Sequence, residues 1–174
     1  TYHPDILKNV AAAGHTIGTH TWGHVDFSRK NVSVEQAKEE IEKGLSAVSA
    51  SLGAPVAPFF RFVSLKHPPE LVTYLGERNI AIFSTDMDSF DFTARKPEQV
   101  VNKVMTKLKK FGKGIVLMHD FQKNTGIALP ALLARLKAGG YKVVQMKAKT
   151  SLASLPEYDE AIMKDMKVPT ASTN

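Results

Sequence analysis

Two of the six histidines in this chain, His20 and His24, stand four residues apart in the stretch Gly14-His15-Thr16-Ile17-Gly18-Thr19-His20-Thr21-Trp22-Gly23-His24. On one helical turn, or on a tight turn after a strand, imidazoles at that spacing reach one metal ion. Zinc takes neutral imidazole nitrogen readily. The same spacing also fits two solvated histidines in a loop, so the pair must be weighed with what shares its face. Further along stand Arg61 in an apolar, aromatic run, then Asp86, Asp88 and Asp91 in one acidic segment. His119-Asp120 closes the apolar run Ile115-Val116-Leu117-Met118. Singly, a buried-strand arginine reads as a structural ion pair and a strand-end histidine as a satisfied hydrogen bonder. Gathered on one rim, they read as an active site.

The elements that must position these groups alternate. Pro4 to Ala13 reads as the end of a helix closed by Gly14. Thr16 to Thr19 follows as a short strand running into the two-histidine loop. Ser33 and Gln36 make a capping-box pattern for a helix to Leu52, with Ala37, Ile41, Leu45, Val48 and Leu52 inward and Gly53 and Pro55 as the stop. Pro58 to Phe62 suits a buried strand. Pro68 and Pro69 open a helix with Leu71, Val72 and Leu75 inward. Ile80 to Ser84 is a strand entering the acidic segment. Pro97 to Phe111 is a helix, Ile115 to Met118 a strand, Ile127 to Ala138 a helix with Leu129, Leu132, Leu133 and Leu136 inward, and Tyr141 to Gln145 a fifth strand. Residues 147–174 read as a surface extension with one short helix near Tyr158 to Met166 and a frayed end. Strands alternating with helices predict a parallel α/β sheet or barrel, whose chemistry sits where strands end and loops to helices begin.

Composition bounds the rest. The 174 residues, 43% of them hydrophobic, suit one domain with a sizeable core. No apolar run approaches the ~18 residues of a membrane span. The absence of cysteine excludes disulfides and thiolate metal sites. Much of the +6 charge sits at Lys103, Lys107, Lys109, Lys110 and Lys113 around one helix end, where lysines complement the helix dipole. Phe111 is the one aromatic residue among them, too little stacking surface for a nucleic-acid site. Nucleophile-elbow, P-loop and dinucleotide fingerprints are missing, which disfavours serine hydrolases, nucleotide enzymes and Rossmann oxidoreductases.

Four ordered motifs, His-Thr-x-x-His, Phe-Phe-Arg-Phe, Asp-Ser-x-Asp-Phe and Ile-Val-Leu-Met-His-Asp, resemble those of the polysaccharide deacetylases (the NodB-homology domain, carbohydrate esterase family 4). The resemblance runs from about residue 5 to 146. It implies a distorted (β/α) barrel, with residues 1–146 as the catalytic domain and 147–174 as a C-terminal extension. It also implies metal-dependent removal of acetyl groups from N-acetylglucosamine polymers such as chitin oligomers or peptidoglycan, that is, a hydrolase acting on amide C–N bonds. By resemblance His20 and His24 are two of three protein ligands to a divalent metal, usually zinc. Arg61 holds the catalytic base, Asp91 orients the catalytic histidine, and His119 is that histidine. Leu117 lines the acetyl pocket and Phe92 belongs to an aromatic wall. A secreted or periplasmic location is implied in the same way.

Three departures accompany the resemblance. The family's first motif, Thr-Phe-Asp-Asp, which supplies the base and the third ligand, has no counterpart. The expectation is that it lies upstream, on a first strand missing here, and that the barrel is completed by that segment or by an oligomer. Asp26, two residues beyond His24, is the lesser alternative within the chain for the third ligand. Arg61-Phe62-Val63-Ser64 replaces Arg-x-Pro-Tyr, leaving the Ser64 amide to serve the oxyanion. Phe92 stands where tryptophan is usual. Two readings compete with the enzyme: a carbohydrate-binding pseudoenzyme, motivated by Val63-Ser64, and a polyanion-binding protein using the lysine-rich helix end.

Overall fold

The computed structural model describes residues 3–165. In chain order the elements are α1 (Pro4–Ala12), α2 (Val34–Leu52), β1 (Phe59–Phe60), α3 (Pro69–Glu77), β2 (Ala81–Ile82), β3 (Met87–Asp88), α4 (Pro97–Phe111), β4 (Val116–Leu117), α5 (Lys123–Ala138) and α6 (Pro156–Asp165). Single 3-10 turns at Val63–Leu65 and Asp91–Thr93 follow β1 and β3. The chain divides into two compact units, one of residues 1–83 with 145–174 and the other of residues 84–144.

In the first unit, β1 and β2 pair in parallel, Phe59 opposite Ala81 and Phe60 opposite Ile82. The segment before α2 joins them through a parallel bridge between Thr19 and Phe60. The predicted strand 16–19 is therefore an extended stretch with a single bridge. Helix α2 forms as the sequence dictates. The Ser33 hydroxyl accepts from Gln36 N at 3.1 Å while Gln36 Oε1 accepts from Ser33 N at 2.9 Å, and Gly53 closes the helix at φ 68°. Its Ala37 and Ile41 are buried with Phe27, Phe60, Phe62, Leu71, Leu75 and Ile80. Helix α6 packs on α2 with Ile162 fully buried, so the stretch expected as a surface extension contributes a core side chain. The frayed end expected after Met166 lies outside the described residues.

A second polar feature ties this unit together. Glu42, on the buried face of α2, is fully buried. It accepts hydrogen bonds from Tyr74 Oη (2.6 Å) and from Arg78 Nε (2.9 Å) and Nη2 (3.1 Å). Burial and then the Glu42 bond push the Tyr74 phenol up, and the Glu42 bond raises Arg78. A buried carboxylate is tolerable only with such partners.

In the second unit, β3 and β4 pair in parallel, Met87 opposite Val116 and Asp88 opposite Leu117. Met87, Val100, Val101, Val104, Leu108, Ala128 and Leu132 make its core. The sequence reading missed β3, because an acidic segment carries no strand-like alternation. Helix α5 begins four residues earlier than expected and keeps Pro130 inside it. Its buried row is Thr125, Ala128 and Leu132, so Leu129 and Leu133 face solvent. The fifth strand, Tyr141 to Gln145, does not form among the described residues. Val143 and Val144 are about three-quarters exposed and no ladder bonds them, and unpaired extended backbone is not a strand. The α/β class and parallel pairing hold; the expected succession of five laddered strands does not.

Candidate active site

The extended segment beside β1 carries His20 to its place. Ala57 N donates to Ile17 O at 3.0 Å, Thr19 N to Phe59 O at 2.8 Å and Arg61 N to Thr19 O at 3.1 Å. His20 Nδ1 then lies 2.7 Å from the Arg61 carbonyl oxygen. A carbonyl can only accept, so Nδ1 carries the proton and the ring lone pair sits on Nε2, the arrangement second-shell bonds impose on metal-binding histidines. The chain turns through Thr21 (φ 71°) and His24 (φ 56°), left-handed conformations that cost of order 1–3 kcal/mol each for non-glycine residues. Helix α2 holds the turn: Trp22 N donates to Glu40 O at 2.9 Å and Gly23 N to Glu40 Oε2 at 2.6 Å. The helix comes this close because position 44 is glycine; a Cβ there would sit 2.6 Å from Thr21 C.

The His20 and His24 rings are exposed, with centroids 5.0 Å apart and planes at 76°. They supply two nitrogen donors of the type zinc prefers. Among the described residues no group of three or more His, Cys, Asp or Glu gathers around a common point. Asp26 is not the missing third: its carboxylate accepts from Ser28 N (2.9 Å) and Ser28 Oγ (2.7 Å) and lies 3.7 Å from Lys66 Nζ. The Ser28 hydroxyl, then the Ser28 amide, hold its carboxyl down at about 2. Arg61 is half-buried, burial alone lowers its pKa, and its buried Nε has no hydrogen-bond partner among the described residues. A buried guanidinium with an orphaned N–H is a fork waiting for a carboxylate. Ser64, in the turn after β1, is exposed and left-handed (φ 57°, ψ 12°).

The second unit builds a different group. Asp91 is buried, and its Oδ1 lies 2.7 Å from His119 Nδ1. Oδ2 accepts from His119 N (2.6 Å) and Thr125 Oγ1 (2.7 Å), and Oδ1 also accepts from Phe92 N (2.9 Å). Burial by itself would raise this carboxyl; the His119 ring and amide and the Thr125 hydroxyl outweigh it and hold it below its ordinary value. The ionised carboxylate fixes the His119 tautomer, so Nε2 is the nitrogen that can exchange a proton with a substrate. Leu117, in β4, is half-buried, and its carbonyl accepts from Ser89 N at 3.1 Å. The Phe92 ring stands edge-on to His119 at 5.9 Å.

The strand-end groups expected together thus fall into two sets, His20, His24, Arg61 and Ser64 in one unit and Asp91, Phe92, Leu117 and His119 in the other. Two of the three clustered aspartates prove architectural. Asp86 Oδ2 accepts from Ile115 N at 2.7 Å and Asp88 Oδ1 from Phe90 N at 2.7 Å. Lys103 and Lys107 fold back, donating to Thr93 Oγ1 (2.8 Å) and Asp88 O (2.7 Å), and Phe90 lies against both. Sequence reasoning missed Glu40, Gly44 and Thr125. Gly44 alone left a signal, since a glycine inside a helix costs about 1 kcal/mol and wants a packing reason.

An Asp–His pair beside the parallel strands of one unit and a two-histidine loop beside those of the other are the two candidate groups. Comparison with known proteins makes the class specific. The polysaccharide deacetylase family model matches residues 1–80. The peptidoglycan-N-acetylglucosamine deacetylase of Listeria monocytogenes is 28% identical over 145 residues, 82% of this chain and 29% of the relative. Among solved structures, a Bdellovibrio bacteriovorus peptidoglycan deacetylase superposes with a TM-score of 0.77 at 32% identity, covering 86% of this chain and 41% of that one. A mutant of a Bacillus anthracis carbohydrate esterase family 4 pseudoenzyme, described as having restored activity, gives 0.72 at 25% identity over 82% and 50% of the two chains. The family model, the relatives and the solved structures all support a polysaccharide deacetylase of the carbohydrate esterase family 4 type. It spans well under half the length of the Listeria and Bdellovibrio relatives.

Proposed function

We propose that the protein hydrolyses the acetamide of N-acetylglucosamine residues in a polysaccharide, peptidoglycan or chitin-like, at a secreted or periplasmic location. The observation that carries this is the buried Asp91 carboxylate bonded to His119 Nδ1. A histidine so held hands its Nε2 proton to the departing amine nitrogen as the C–N bond breaks, while Asp91 stabilises the charged ring. Arg61, with its orphaned Nε, binds and orients the carboxylate that serves as base, supplied from outside the described residues. The Ser64 amide is the N–H offered to the developing oxyanion. Leu117 and Phe92 shape the acetyl and sugar contacts. His20 and His24 hold a divalent ion, zinc by ligand preference, with a third protein ligand outside the described residues; when bound it supplies Lewis-acid polarisation of the acetamide carbonyl.

One observation favours a second reading. Val63-Ser64 stands where the family motif has Pro-Tyr, and Ser64 and the following Leu65 are both left-handed, so the N–H donor can be misaimed and the protein can bind glycan without turnover. The test is made on the full-length protein. His119→Ala keeps metal content and unfolding midpoint near wild type and lowers acetate release at least ~10²-fold, whereas His20→Ala lowers metal content. Unchanged turnover in His119→Ala with metal intact refutes the assignment; glycan and metal binding without acetate release in wild type selects the pseudoenzyme.

A further inference from the structure

Around His119 the second unit presents more aromatic surface than the reaction requires. Phe90, Phe92 and Phe121 are 42%, 54% and 77% exposed, and Phe121 is the most exposed of the large apolar side chains described. With the imidazole they form a continuous row, Phe90 to Phe92 at 6.0 Å, Phe92 to His119 at 5.9 Å and His119 to Phe121 at 5.6 Å between centroids. None of the three joins the hydrophobic core of this unit, so the row is costly to display and does nothing for the fold.

The row is also held in place. Phe90 sits at φ 49°, its amide tied to Asp88 Oδ1 at 2.7 Å and its carbonyl accepting from Thr93 Oγ1 at 2.7 Å. The Lys107 ammonium lies 4.5 Å from its ring centroid. Phe92 N is tied to Asp91 Oδ1, and the turn carrying Phe121 is closed by Gln122 N donating to His119 O at 3.2 Å. A backbone fixed before binding leaves less entropy to lose when a ligand lands on the rings it carries. The two lysines under Phe90 donate to Asp88 O, Thr93 Oγ1 and the Phe90 carbonyl, so their ammonium groups are already engaged and the row offers π faces in preference to an anion site. A neutral, flat, C–H-rich ligand fits such a row: the pyranose rings of a glycan chain.

We propose that Phe90 and Phe121 are glycan-stacking residues on either side of His119, binding sugar units that flank the one being deacetylated. This rests on the deacetylase reading for its register, though the stacking itself does not. The experiment compares full-length wild type, Phe121→Ala, Phe90→Ala and Phe121→Trp. Binding of N-acetylglucosamine pentamer and monomer is measured by calorimetry in the presence of chelator, and acetate release is measured with metal. Each alanine variant should weaken pentamer binding about three- to tenfold, raise KM for the pentamer by a similar factor at unchanged kcat, and leave the unfolding midpoint in place. Phe121→Trp should bind at least as well as wild type. Pentamer binding that is lost in the variants, in a protein that releases no acetate, supports stacking while the deacetylase reading fails. Acetate release with pentamer binding equal in all four proteins overturns stacking and leaves the deacetylase reading standing. Light scattering that shows self-association relieved by Phe121→Ala, with glycan binding unchanged, overturns it too.

Discussion

Gly44→Ala tests whether α2 aims the two-histidine loop. In an isolated helix the change adds about 1 kcal/mol of stability, because alanine loses less backbone freedom than glycine. Here the new Cβ would stand 2.6 Å from Thr21 C, 2.7 Å from Thr21 O and 3.0 Å from Trp22 N. All three are backbone atoms, so no flexible side chain can swing aside, and helix and loop must separate by about 1 Å to reach ordinary contact. Overpacking of this kind costs about 1–3 kcal/mol, and the separation stretches the Trp22 N to Glu40 O bond of 2.9 Å. The net expectation is a loss of about 1 kcal/mol. Gly76→Ala in α3 is the control in the same unit, since nothing lies within 4 Å of its Cβ; it should gain up to about 1 kcal/mol. Urea unfolding followed by Trp22, the sole tryptophan, reads both stability and the loop's surroundings. If Gly44→Ala stabilised as much as Gly76→Ala with native Trp22 emission unchanged, the close approach would not be holding the loop.

Asp91→Asn should cost about 1–3 kcal/mol at neutral pH, since the amide nitrogen must face one of the donors that Asp91 now accepts. The sign of its pH dependence follows from the lowered Asp91 carboxyl. The group's contribution is fully present above the unfolded value of about 3.9 and fades as pH falls through the folded one, so the gap between wild type and Asp91→Asn should close in acid. Unfolding midpoints at pH 7 and pH 3 check this, and a constant gap contradicts it. In the Glu42 cluster, Tyr74→Phe removes one of three donors and should cost about 1 kcal/mol. Arg78→Met strands the buried carboxylate and should cost about 3 kcal/mol, the low end for a buried pair because the arginine side chain is 22% exposed. Equal costs in urea unfolding would show that Glu42 is not held as an ion.

The helices were legible because their signals are local. Ser33 and Gln36 state where α2 begins and Gly53 states where it ends; of its expected apolar face, Ala37, Ile41 and Leu45 are buried, while Val48 and Leu52 are half-buried. Strands are defined by partners, and a single sequence does not name them. Tyr141 to Gln145 has the composition of a strand and no ladder, whereas Met87–Asp88 looks like an acidic loop and pairs with Val116–Leu117. Helix α5 shows an intermediate case: four leucines at helical spacing suit several faces, and the packed row is set by Thr125, whose hydroxyl is drawn in to Asp91. That hydrogen bond is tertiary, so periodicity could not have placed it.

The same division runs through the site. Residues of the types that can carry protons or donate to a metal declare themselves in the sequence: the motifs picked out His20, His24, Arg61, Asp91 and His119, and each stands at the end of an extended segment or in the turn beyond it. Residues that aim them are ordinary in sequence. Glu40 is one acid among several on α2, yet its carbonyl and carboxylate hold the backbone of Trp22 and Gly23. Arg61 shows the limit from the other side: its type suits an ion pair, and its buried Nε has no acceptor among the described residues. Of the acidic cluster, the one carboxylate fully buried and bonded to an imidazole is Asp91, while Asp86 and Asp88 spend theirs on backbone N–H groups. Spacing had made all three candidates; burial and partner single out Asp91, because a carboxylate bonded to an imidazole fixes that ring's tautomer and can help it move a proton.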